Sequence, residues 1–116
     1  MRNYRELRVW SMGMEVAKES FAITEHFPAE ERFGLTSQVN RAAVSIPANI
    51  AEGCGRNSDK DFNRFLQISL GSCYELSTLL ELAFMRKFIE QKEFDRLQEI
   101  LTLLMKSIAS MSNKLQ

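Results

Sequence analysis

The stretch SDKDFNRFLQISLGSCYELSTLLELAFMR, Ser58–Arg86, carries the longest hydrophobic pattern in the chain. Phe62, Phe65, Leu66, Cys73, Leu76, Leu80, Ala83 and Phe84 recur at helical spacing on one side. The Ser58 hydroxyl can cap the amide near Asp61, which fixes where the helix starts. A helix from Ser58 to about Arg86 spans ~40 Å and cannot bury its apolar side alone.

Partners for that side lie both upstream and downstream. Downstream, residues 91–114 place Phe94, Leu97, Ile100, Leu101, Leu104, Ile108 and Met111 inward. Upstream, Leu35 to Gly53 carries an apolar line of Val39, Ala43, Ile46 and Ile50. A polar line of Gln38, Arg41, Ser45, Asn49, Glu52 and Arg56 runs beside it. Pro47 sits inside this helix with the pattern in phase on both sides, so a kink is expected rather than a break. Gly53 and Gly55 suit a left-handed helix cap.

The first helix covers about residues 6–26, with a seam of Trp10, Met14, Ala17, Phe21 and Thr24 widened by Val9, Val16 and Ile23. It stops at Phe27-Pro28, because the residue before proline avoids the α region. Residues 28–32 can form a single turn that starts at Pro28. Short connections force neighbouring helices antiparallel, so the expected fold is all-α: an up-down-up-down four-helix bundle with helix 2 kinked at Pro47. At 116 residues it forms one domain, 1–116. With 5 Gly and 2 Pro, turn-formers are too few for a barrel or sandwich.

Some apolar residues fall off these stripes. Ile68, Leu79 and Leu82 on the third helix and Leu103 on the fourth call for a second surface. Gly71 and Ser72 would let another helix approach closely, so these four residues are the expected oligomer interface. Single exposed leucines, normal on protein surfaces, are the plainer reading.

The familiar chemistries of helical bundles are missing. Di-iron bundles use Glu-x-x-His pairs, yet the single histidine, His26, sits at a helix end beside Phe27. There is no C-x-x-C metal pair, haem attachment motif, P-loop or nucleophile elbow. Cys54 and Cys73 fall about 20 Å apart along the bundle axis. A disulfide cannot bridge that distance, so both read as reduced, buried thiols. The expectation is a non-enzymatic protein with no cofactor or metal. No stretch approaches the ~20 apolar residues of a membrane span, and no apolar run marks a secretory signal, so a cytoplasmic protein is expected.

Lys+Arg and Asp+Glu are 15 each, which removes a strongly basic domain as an argument for nucleic acid. The bundle topology redistributes this charge. The start of helix 1, the helix 2–3 turn and the end of helix 4 share one end. There Arg2, Arg5, Arg8, Arg56, Lys60, Arg64, Lys106 and Lys114 meet only Glu6, Glu52, Asp59 and Asp61. Arg2, Arg5, Arg8, Arg56, Lys60 and Arg64 are therefore the expected phosphate contacts, with Tyr4 as a stacking ring. Scattered cations that serve solubility alone are the plainer reading.

Phe27-Pro28 through Phe33-Gly34-Leu35, Gln38, and the block Arg41-Ala-Ala-Val-Ser-Ile-Pro-Ala-Asn-Ile-Ala-Glu-Gly53 resemble a known family. So do Leu7 and Val9-Trp10 before them, and Phe65-Leu66, Gly71-Ser72 and Glu75-Leu76 after them. This pattern is similar to the bacterial 23S rRNA intervening-sequence proteins, whose genes lie within or near rRNA insertions or elsewhere in genomes. The resemblance implies a small cytoplasmic four-helix bundle without catalytic residues. Relatives include the accessory variability protein of diversity-generating retroelements, a five-membered ring that binds nucleic acid and contacts a reverse transcriptase. By resemblance, then, a homopentamer is expected, with RNA or a reverse transcriptase as partner. In the family motif, Arg41, Pro47, Asn49, Glu52 and Gly53 read mainly as structural: the polar three satisfy groups near the Pro47 bend, and Gly53 supplies the cap. A protein-interaction scaffold that binds no nucleic acid is the alternative.

Overall fold

Each helix begins and ends where local chemistry allows. The computed structural model describes residues 2–116. A short 3₁₀ turn, Tyr4–Glu6, is capped by the Asn3 side chain accepting from the Arg5 amide at 3.1 Å. Extended Leu7 leads into α1, Arg8–Thr24. After Pro28 a second 3₁₀ turn, Ala29–Glu31, supplies Glu31 Oε1 as acceptor for the Leu35 amide at the start of α2, Leu35–Cys54. Ser58 Oγ accepts from the Asp61 amide and starts α3, Asp59–Met85, as the capping pattern predicts. α4 runs Gln91–Lys114. α2 continues through Pro47 to Cys54.

The α3–α4 connection is closed by backbone alone. Phe88 N–H donates to the Ala83 carbonyl and Lys87 N–H to that of Phe84, the paired bonds of a Schellman motif. The motif places Lys87 at φ 64°, in the left-handed region.

Neighbouring helices meet with their residue numbers running in opposite directions. Along α1 and α2, Thr24 bonds Asn40 while Gly13 sits against Ile46 and Pro47. Along α2 and α3, Ser45 meets Ser72 and Gly53 abuts Phe65. Along α3 and α4, Gln67 bonds Ser112 and Ser77 bonds Gln98. α1 closes on α4 through Glu19 and Arg96. The result is an all-α four-helix bundle of 43 × 24 × 20 Å. Its core is built on Val16, Val39, Ile46, Ile50, Phe62, Leu66, Leu76, Leu80, Leu97, Leu101, Leu104 and Ile108.

Three expectations about packing are corrected. Met14 and Phe21 do not enter the core; they are 46% and 43% exposed. α1 turns the expected Val9, Val16, Ala17, Ile23 and Thr24 inward, and Gly13 and Ser20 take the places of the two large side chains. A Cβ on Gly13 would stand 3.3 Å from Ile46 Cγ2 and Pro47 Cβ, so the glycine lets the two helices close. Leu79 belongs to the core rather than to a second surface, since it shares a face with Leu76 and Ala83 at i−3 and i+4. Gly53 is no left-handed cap: no glycine among the described residues has positive φ, and Gly53 lies within α2. Its missing side chain admits α3, because a Cβ there would be 2.7 Å from Phe65 Cβ.

Candidate nucleic-acid interface

The close approach at Gly53 sets the register of the α2–α3 turn and so positions its cations. Arg56 and Arg64 both place their guanidinium carbons 4.7 Å from the centroid of the Phe65 ring. The ring is buried and holds both charged groups at the surface, Arg64 without an ion-pair partner among the described residues. Glu52 approaches Arg56 only at 3.6 Å, across an exposed pair that neutralises little. Lys60 lies one helical turn before Arg64 and is exposed.

The structure divides the six expected contact residues among different roles. Arg2 is half-buried, 2.6 Å from Asp59 Oδ1 and 4.1 Å from the Phe62 centroid. Its amide also donates to the Cys54 carbonyl. Arg2 thus ties the amino-terminal segment to the turn, and its charge is already paired. Arg5 lies over Tyr4 and Trp10, whose rings meet edge-on at 5.1 Å. Arg8 stands apart, in a groove between α1 and α4 shared with Lys106 and Lys114. Arg56, Lys60 and Arg64 form the compact group, Arg5 a flanking one.

The family-motif residues also divide. Asn49 Nδ2 donates to the Ser45 carbonyl at 2.8 Å and to Ser45 Oγ at 2.9 Å. It therefore does not reach the Ala43 carbonyl, which loses its helical donor at Pro47; its acceptors lie two residues further on, at Ser45. Ser45 Oγ lies 2.7 Å from Ser72 Oγ, and Ser69 Oγ donates to the Ile46 carbonyl. This hydroxyl ladder joins α2 to α3, and sequence patterning missed it because serines on a core-facing stripe look like gaps. Arg41 and Glu52 are exposed and bury nothing. Arg41 lines a polar groove with Gln38, Ser45 and Glu75.

The expected interface residues do not share a surface. Ile68, Glu75 and Leu82 repeat every seven residues, and Glu75 lies in the α2–α3 groove. Leu103 lines the α1–α4 groove on the opposite flank of the bundle. Ile68, Leu82 and Leu103 are all exposed.

Other chemistry is sparse. Both cysteines are free and buried. Burial pushes the Cys73 thiol up to about 12. It also raises that of Cys54, with Arg2 opposing. Among the described residues no cluster of three His, Cys, Asp or Glu could hold a metal ion, and no helix is long and apolar enough to cross a membrane.

The profile of the 23S rRNA-intervening sequence proteins matches residues 5–110, and the chain belongs to that family. Among solved structures, a protein of unknown function from the S23 ribosomal protein family of Bacteroides thetaiotaomicron superposes with a TM-score of 0.83. The two are 26% identical over 90% of this chain and 97% of that one. No curated protein matches the chain.

Proposed function

We propose that this is a non-enzymatic, cytoplasmic accessory protein that binds RNA or another nucleic acid through the α2–α3 end of the bundle. The observation that carries the reading is the pair of guanidiniums, Arg56 and Arg64, seated on one buried ring with Lys60 beside them. Such a group contacts phosphates without reading bases. Arg5 over Tyr4 and Trp10 adds a cation beside two aromatic rings, and a ring face not covered by Arg5 can stack a base. Copies of the chain assemble, as a pentamer by family resemblance, and multiply this weak patch into a continuous one. A reverse transcriptase is the protein partner that the same resemblance suggests.

The test is fluorescence anisotropy with a structured rRNA fragment over a range of KCl, beside light-scattering mass. The expected result is an oligomer whose affinity falls with salt, with a log–log slope of about −0.7 per single-strand phosphate neutralised. Arg56→Glu/Arg64→Glu should lower affinity at least ~tenfold at low salt while keeping the helical spectrum. Equal affinity in that variant, or binding indifferent to salt, rejects the site. Leu82→Glu tests assembly: an unaltered oligomer mass removes that face from the interface.

A further inference from the structure

We infer that the groove between α1 and α4 is a docking site for an acidic amphipathic helix of a protein partner. It is built from the amino-terminal turn of α1 and the last three turns of α4, and encloses about 500 Å³. Leu7, Val9, Leu103 and Met111 form its apolar surface; Arg8, Lys106 and Lys114 supply the charge. No carboxylate lines it, and none of the three cations has a carboxylate within 4 Å among the described residues. Several arginines elsewhere are paired or stacked, Arg2 on Asp59, Arg96 on Glu19, Arg56 and Arg64 on Phe65, and what sets this groove apart is that its cations flank an apolar floor. Here an exposed leucine, 53% accessible, sits among three uncommitted positive charges.

The chemistry selects the occupant. A nucleic-acid strand wants aromatic faces for its bases, and this groove holds none. Aliphatic side chains between cations suit a helix that presents Leu, Ile or Phe at i, i+4 and i+7 with Asp or Glu on both shoulders. Leu103 to Lys114 extends about 16 Å along α4, which matches three turns of such a helix. The short side chains of Ser107 and Ser110 leave the middle of the groove open to close approach. The inference is independent of the nucleic-acid reading, since Arg56 and Arg64 lie at a different corner of the bundle.

The experiment is selection of displayed peptides, about four helical turns long, on the full chain. Selected peptides are then titrated by methyl NMR of Leu103 and Met111. Acidic amphipathic sequences should be enriched, and their binding should shift those two methyl signals. Leu103→Asp, at an exposed position, should keep the fold and weaken binding at least ~tenfold, the loss expected when a central contact is removed. Lys106→Glu/Lys114→Glu should lose the acidic peptides and accept the same peptides with Lys in place of Glu. Enrichment of peptides lacking this pattern overturns the proposal, as does binding that survives Leu103→Asp. Displacement of bound peptide by oligothymidylate at low concentration makes this a nucleic-acid groove. A fall in the mass of the free protein on Leu103→Asp makes it a contact between copies. Either result also overturns the proposal.

Discussion

Gly53 and Phe65 face each other across α2 and α3 at a spacing that admits no Cβ, since one built on Gly53 would lie 2.7 Å from that of Phe65. The clash is with the root of a buried side chain, which cannot swing aside. Alanine there would gain ~1 kcal/mol of helix propensity and lose about 2–3 kcal/mol to overpacking, the upper part of the usual range because a Cβ root cannot give way. Gly53→Ala is therefore expected to lower stability by roughly 1–2 kcal/mol in urea denaturation, where the two effects are set against each other. A variant as stable as the parent would show that α2 and α3 are free to separate.

The same ring carries two guanidiniums, which gives a separate test of the site. Phe65→Leu keeps an apolar side chain between the helices and removes the π face under Arg56 and Arg64. Stability should change by less than ~1.5 kcal/mol. Affinity for an rRNA fragment should fall a few-fold at low salt as the cations lose their fixed positions, about the worth of one or two exposed cation–π contacts. Affinity equal to the parent's would show that the ring does not organise the cations for binding.

Lys87 occupies left-handed backbone at φ 64°, which glycine adopts without cost. Lys87→Gly should stabilise the protein by ~1 kcal/mol and raise the thermal midpoint by about 4 °C. Calorimetry decides this directly, because the side chain is exposed and has no described partner.

Ser69 is buried and donates to the Ile46 carbonyl at 2.8 Å, one residue before the proline. Ser69→Ala removes the hydroxyl and should cost ~1 kcal/mol. Ser45→Ala, on a half-buried bond to Ser72, should cost less. The reverse order would place the main polar tie between α2 and α3 at the surface.

Cys73 is held as a thiol up to about 12, against an ordinary value of 9.0, by desolvation. Above its ordinary value the unfolded chain gives up this proton while the folded chain keeps it. The stability this contributes is complete below pH 9 and is lost as pH rises toward 12. Comparison of Cys73→Ala with the parent should isolate a slope of at most ~1.4 kcal/mol per pH unit in that window. Parallel pH profiles would mean that the thiol ionises while folded.

The helix count and most helix boundaries were legible in the sequence because the periodicity is clean along α3 and α4 and Ser58 caps the start of α3. α1 was harder. Its residues make two overlapping stripes, and large side chains such as Met14 and Phe21 outweigh Gly13 and Ser20 in any hydrophobic reading. The bundle chose the small residues, since α1 must come close to the buried Pro47. Gly53 misled in the same way: its lack of a side chain serves packing rather than backbone freedom. At the candidate site the cations could be named from sequence, but not their partners. That Arg2 is spent on Asp59 and that Arg56 and Arg64 share Phe65 depend on contacts across distant turns.

The chain has no net charge, yet eight cationic side chains and only four anionic ones belong to one end of a 43 Å body. At neutral pH such a molecule should still be retained by a cation-exchange resin, oriented end-on, and also by an anion exchanger through its other end. Retention on heparin would follow from this layout alone. Chromatography on a polyanion therefore reports how the charge is arranged along the axis, and the salt response of the Arg56 and Arg64 variants separates that from recognition.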